Sequence, residues 1–232
     1  VSADESVLDN VVWASLTGAH AHLAVRHGDA ARYPEDVAPF LGAADEPGPQ
    51  IWSDIAAAAG PGAQVVVSPG LPRPEEAWDT TFDLAGVQLV DDHLEPEVDV
   101  EAIRLTHADV PEMIELVERT QPGPFLPRTI LLGDYFGFRR EGALVAMAGE
   151  RMHPPGWTEI SAVCTDPAYR GQGLATRLVL TVAAGIRARG DVPFLHTGAA
   201  NTNAIRLYEA LGFRLRRHVR FTGVQVPATQ PA

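Results

Sequence analysis

"DPAYRGQGLATRLV", residues 166–179, sets Gly171 and Gly173 beside Arg170 immediately before an apolar run at helical spacing. Upstream, "WTEISAVCT" (157–165) has the β-branched character of a strand; downstream, "GLATRLVLTVAAGIRARG" (173–190) predicts a long helix ended by Gly190. The stretch is therefore a glycine-rich turn between strand and helix. The first turn of a helix leaves about four backbone N–H groups without internal partners, and its dipole adds roughly half a positive charge. Glycines there let a diphosphate approach the backbone, and Arg170 adds a fixed charge. A Walker loop is excluded, because it ends in Gly-Lys-Ser/Thr and all 18 basic residues of this chain are arginine. The dinucleotide fingerprint fits poorly, since Leu174 and Ala175 break its glycine spacing. From the turn alone, a bound diphosphate and a merely tight turn both remain open.

Around this turn the second half alternates strands and helices. "EAIRLTHADVPEMIELVERT" (101–120) predicts a strand, then a helix with Asp109 near its N-terminus and Pro111 in its first turn. "QPGPFLP" (121–127) is a rigid loop, and "DYFGFRREGALVAMAGERM" (134–152) a hairpin turning at Glu141-Gly142. "VPFLHTG" (192–198) is a buried strand, "NTNAIRLYEALG" (201–212) a short helix capped by Asn201 or Thr202, and "FRLRRHVRFTGV" (213–224) a last strand.

The first half is mixed as well: a helix in "VLDNVVWASLTG" (7–18), a hairpin around His27-Gly28-Asp29, a helix in "IWSDIAAAAGPG" (51–62), and strands in "AQVVVSP" (63–69) and "DTTFDLAGVQLV" (79–90). It contains no phosphate loop. Charge divides the chain sharply: residues 1–100 hold 18 Asp and Glu against three Arg, residues 101–232 hold 12 against 15. The change predicts two units with a seam in "DDHLEPEVDVEA" (91–102), giving an acidic α/β domain over 1–98 and a second domain over 99–232. The acidic half is a poor partner for nucleic acid. It either keeps the protein in solution or attracts a cationic ligand. With 46% hydrophobic residues the chain can bury a core, yet no apolar stretch reaches the roughly 20 residues of a membrane span, so a cytoplasmic protein is expected. One cysteine, Cys164, permits no internal disulfide, and no Cys/His spacing suggests a metal.

Two motifs in order carry a resemblance. "EISAVCTDPAYRGQGLA" (159–175) followed by "NTNAIRLYEALGF" (201–213) resembles the GNAT superfamily of N-acetyltransferases, in its FR47-like branch. The resemblance covers residues 101–222 and scarcely touches the first half, which is compatible with a degenerate second copy of the same fold. It implies an α/β (α+β) fold, a mixed twisted sheet flanked by helices, acting as an acetyl-CoA-dependent N-acetyltransferase on a small-molecule or peptide amine as monomer or homodimer, without metal. By the same resemblance Arg170, Gly171, Gln172, Gly173, Leu174 and Ala175 hold the diphosphate, Val163, Cys164 and Thr165 line the pantetheine arm, and Asn203 is a cofactor contact or helix cap. A non-catalytic CoA-binding module is the alternative.

Tyr208 is the candidate general acid, since a phenol with an ordinary pKa near 10 stays protonated while a thiolate leaves. Glu159 is the candidate base, because strict alternation would place it on one face with residues 161, 163 and 165; the competing reading pairs it with Arg151. Cys164 points to the other face as an inert core residue, and His196 reads as a hydrogen-bonded structural residue. Phe125, Leu126 and Arg128 are expected to wall the acceptor pocket, because loops at that place commonly do so in this superfamily.

Overall fold

The computed structural model describes residues 4–67, 71 and 77–228. A 3-10 turn (Glu5–Asn10) leads into α1 (Val11–Thr17), so the first predicted helix begins in a tighter winding. The expected hairpin follows as β1 (Val25–His27) and β2 (Ala30–Arg32), and then come β3 (Phe40–Ala43), α2 (Ile51–Ala59), β4 (Gln64–Val67) and the long β5 (Asp79–Asp91). Ser68 and Pro69, the end of one predicted strand, lie outside the described residues.

The second half continues with β6 (Ile103–Arg104), α3 (Val110–Thr120), β7 (Tyr135–Arg140), β8 (Ala143–Glu150), β9 (Trp157–Thr165), α4 (Leu174–Ala188), β10 (Val192–Gly198), α5 (Thr202–Leu211) and β11 (Phe213–Gln225). Local chemistry explains its boundaries. Thr106 and Asp109 form a capping box ahead of α3. Glu141 and Gly142 both take positive φ, the backbone that a two-residue hairpin turn needs. Asn201 caps α5 by accepting from the Ala204 N–H.

The eleven strands among the described residues form one mixed sheet in the order β1-β2-β3-β4-β11-β5-β10-β9-β8-β7-β6. Exchanging β1–β5 for β7–β11 reverses the order of those ten strands and leaves it unchanged. The pairing senses match too: β3 with β4 and β9 with β10 are parallel, while β4 with β11 and β10 with β5 are antiparallel. The two halves thus share one topology, and each lends its last strand to the other. β5 lies between β10 and β11, and β11 between β4 and β5. The acidic run 91–102 consequently marks where charge changes, not where a sheet ends.

That exchange also brings part of the charge split into contact. Acidic side chains of the first half pair with arginines of the second: Glu5 with Arg214 and Arg216, Asp9 with Arg216 and Arg217, Asp83 with Arg220, Asp91 with Arg187, and Asp99 with Arg177. Each exposed pair contributes little, but together they match one half to the other.

The sheet has apolar residues on both faces. Val87, Leu89 and Leu195 pack with Leu178, Val182 and Ile186 of α4, whereas Val90 and Phe194 pack with Val12 and Leu16 around α1. Alternate residues of β5 and β10 therefore serve opposite layers, as a strand period of two requires. No helix among the described residues is long and apolar enough to cross a membrane.

Candidate active site

β9 and β10 run parallel only part of the way. Their paired positions end at Leu195 and Ile160; beyond these, β10 pairs only with β5 (His196 opposite Gln88) and β9 only with β8 (Thr165 opposite Ala146). The strands separate, and a groove of about 960 Å3 opens between them. Val163, Cys164 and Thr165 line one side, His196, Thr197 and Gly198 the other, and Tyr208 of α5 also lines it. The Thr165 hydroxyl is buried with no hydrogen-bond partner among the described residues, so a polar ligand atom would satisfy it.

A bulge changes which way β9 faces. Ala162 has φ +53, and the register with β8 shifts between Met147 and Gly149. Before it, Ile160 faces the α4 layer; after it, Val163 packs on that layer while Ala162 and Cys164 face α3. The expectation that Glu159 shares a face with Val163 and Thr165 is therefore corrected, because one extra residue inverts the alternation.

At the groove's end the glycine turn stands as the sequence predicts. Gly171 (φ +78) and Gly173 (φ +73) hold left-handed backbone, and a Cβ at either would meet nothing within 4 Å. The glycines answer a conformational need, and the space beyond them belongs to the groove. Arg170, Gly171, Gly173, Leu174 and Ala175 line the groove; Gln172 does not. The Arg170 guanidinium is steered across the strand end by donating from Nε to the Thr165 carbonyl at 3.3 Å. Gly173 is the N-cap of α4 with no side-chain cap, which leaves the first-turn N–H groups directed at the same space. These features fit a diphosphate-bearing thioester carrier such as acetyl-CoA.

Tyr208 is buried, its ring edge-on to Phe213, and burial pushes its hydroxyl up to about 12. It is both the core tyrosine and the groove tyrosine, and it holds its proton at neutral pH. Asn203 lines the groove on the exposed first turn of α5; the cap is Asn201, so Asn203 has no capping role.

Glu159 is 0% exposed and lies outside the groove lining. Arg151 grips both its oxygens, at 2.9 and 2.7 Å, and His196 Nδ1 lies 2.6 Å from Oε1. Burial alone would push its carboxyl up, but the charge and hydrogen bonds of Arg151, with His196, hold it well below the usual carboxylate range. Arg151 is itself stacked over Phe40 at 4.9 Å. The Gln88 amide Nε2 donates to the Leu8 carbonyl and sits 3.0 Å from His196 Nε2, while its Oε1 accepts from Arg216. That network assigns the Nδ1–H tautomer to His196 with a lone pair on Nε2.

Cys164 is buried, and burial pushes its thiol up to about 11, as suits an inert residue. Phe125 is a core side chain edge-on to Tyr135, and Arg128 pairs with Asp36 at the surface; neither lines a cavity of the site. The expected loop does reach the site, through Pro122, Gly123 and Pro124 instead. His196 is hydrogen-bonded, as expected of a structural residue, but it also lines both the groove and the cavity beside it, as does Arg151, and neither was expected there. Only the pairing of Glu159 with Arg151 was foreseeable, since the rest depends on which strands lie beside β10.

The FR47-like protein family matches residues 135–222. A protein from Novosphingobium aromaticivorans, named as an acetyltransferase of the GNAT family, is similar over 96% of this chain and 99% of its own, with 38% identity and a TM-score of 0.87. The mycothiol acetyltransferase of Thermobispora bispora is 36% identical over 119 residues, which are 46% of this chain and 38% of that protein. The N-alpha-acetyltransferase RimI of Mycobacterium tuberculosis is 36% identical over 96 residues, 38% of this chain and 60% of its own length. The chain thus spans less than two thirds of either curated relative.

Proposed function

The chain belongs to the GNAT family, and on that premise we propose that it transfers an acetyl group from acetyl-CoA to an amine. The observation that carries the reading is the parting of β9 from β10 in line with the Arg170–Ala175 turn, which joins an extended groove to a glycine turn at a helix start, a geometry that suits an anion. When bound, the thioester supplies an acyl carbon and a thiolate leaving group. The turn's amides and Arg170 hold the diphosphate end. The edge of β9 from Val163 to Thr165, which faces no strand on that side, offers backbone groups to the pantetheine arm and an N–H to the acyl oxygen.

In this reading Tyr208 donates its hydroxyl proton to the departing sulfur. Nε2 of His196 accepts the proton that the amine nitrogen loses, replacing the contact with Gln88. Glu159 does not meet the amine; it orients the imidazole through Nδ1 and stabilises the cation that forms, with Arg151 holding the carboxylate in place. One proton enters and one leaves, and both residues are reset by solvent. Glu159 thereby keeps a part in the base function as a positioning residue.

The test measures acetyl-CoA binding by calorimetry and free-thiol release in the presence of amines. Saturable binding that Gly171→Val with Gly173→Val abolishes, together with amine-dependent thiol release, is expected. Undiminished affinity in that double variant would overturn the cofactor site, and binding with no thiol release from any amine would overturn catalysis in favour of a CoA-binding module.

A further inference from the structure

A second cavity, of about 390 Å3, adjoins the groove and is walled by both halves of the chain. Phe40, Val66, Phe82 and Leu84 come from the first half, Phe221 and the Pro122–Pro124 loop from the second. It meets the groove at Pro122, Arg151 and His196–Gly198, which line both spaces. Gly86 shapes the wall: the Phe221 ring lies 2.4 Å from where a Cβ there would stand, so any side chain would displace it. The size is that of a small-molecule cleft, typically about 300–1,000 Å3.

Its chemistry is one-sided. Among the described residues, none of the lining side chains is Asp or Glu, and the charge of Arg151 is matched by the sealed Glu159. Phe82 and Leu84 are 39% and 58% exposed, large apolar side chains held in solvent at the lining of this cavity. An ammonium entering such a place loses water and gains no counter-ion, so the cavity favours the neutral amine, which is also the nucleophilic form. A second ammonium on the same molecule would find no carboxylate among the described lining residues.

We propose that this cavity is the acceptor site, and that the acceptor is a small primary amine on an uncharged apolar body, aryl-alkyl or branched alkyl, in preference to a polyamine or an amino sugar. The inference rests on the acetyl-transfer reading above and adds the class of amine to it. The acidic first half does not recruit a polycation here, because several of its carboxylates are spent on arginines of the second half.

The experiment uses the whole chain with acetyl-CoA and three probes: 2-phenylethylamine, spermidine and glucosamine. Thiol release reads turnover, and calorimetry of each amine against the CoA-bound chain reads the cavity without it. We expect kcat/KM and affinity for 2-phenylethylamine to exceed those of the others by at least about tenfold. Leu84→Glu, at an exposed position outside the CoA groove, should lower both for 2-phenylethylamine by about tenfold, raise them for spermidine and leave acetyl-CoA affinity unchanged. Saturable 2-phenylethylamine binding that Leu84→Glu weakens, with no thiol released, supports the class of ligand and sinks the transfer reading instead. Absence of saturable binding while CoA binds, or equal or better use of spermidine or glucosamine with a ranking that Leu84→Glu does not alter, overturns the proposal.

Discussion

Replacing Glu159 with glutamine separates the structural role of this carboxylate from its chemical one. The substitution is nearly isosteric, but it leaves the Arg151 guanidinium in place with a side chain only 14% exposed and a ring, Phe40, as its other neighbour. Removing one partner of a buried ion pair costs about 3–5 kcal/mol. In a chain of this size each kcal/mol lowers Tm by about 2–4 °C, so a fall of roughly 6–20 °C is expected in thermal denaturation. The pair's contribution also has a pH signature. Because the folded carboxyl is held below its unfolded value of about 4.3, the stabilisation is fully present above that pH and is lost as pH falls through the lower folded value. Wild type should lose stability relative to Glu159→Gln across that acidic window.

The double variant Arg151→Met with Glu159→Leu removes both charges together. It should return to within about 2 kcal/mol of wild type, since apolar replacements of a buried pair are often neutral. Turnover should not return, because His196 Nδ1 has lost its acceptor. A loss below about 1 kcal/mol in the single variant, or a double variant as unstable as the single, would refute the buried-pair account. Full turnover in the double variant would refute the positioning role.

Tyr208→Phe keeps the groove wall and removes only the hydroxyl, so acetyl-CoA affinity should hold while kcat falls by about 10²–10⁴-fold; an unchanged kcat removes Tyr208 from the mechanism. Phe125→Ala should cost about 3–5 kcal/mol in urea denaturation with the order of preferred amines unaltered, because the ring packs in the core against Tyr135; a changed order would restore it to the acceptor pocket. Cys164, buried with its thiol pushed up to about 11, should resist thiol reagents in the native chain and react only on unfolding, and rapid native labelling would contradict its burial.

Local chemistry made much of this protein legible before any fold was known. Two glycines beside an arginine at a strand-to-helix turn stand where predicted and with the positive φ that only glycine adopts freely. The Glu141-Gly142 turn, the Pro111 helix start and the Asn201 cap follow from the same kind of reasoning, each set by atoms within a few residues of one another. The bulge at Ala162 was not legible, since nothing in "ISAVCT" announces an extra residue, and it inverted the faces assigned to Glu159 and Val163.

By itself, then, the sequence determined most of the elements, though not β3, together with the glycine turn and the caps, because these depend on short-range backbone geometry and helical period. Tertiary structure alone decided that β5 lies beside β10, and with it that Gln88 meets His196, that His196 stands between Glu159 and the cavity, and that acidic and basic halves pair across exchanged strands. Those partners lie from 37 to 211 positions apart in the chain. Sheet register brings them together, and that register is set by the packing of two faces at once, which no local pattern encodes.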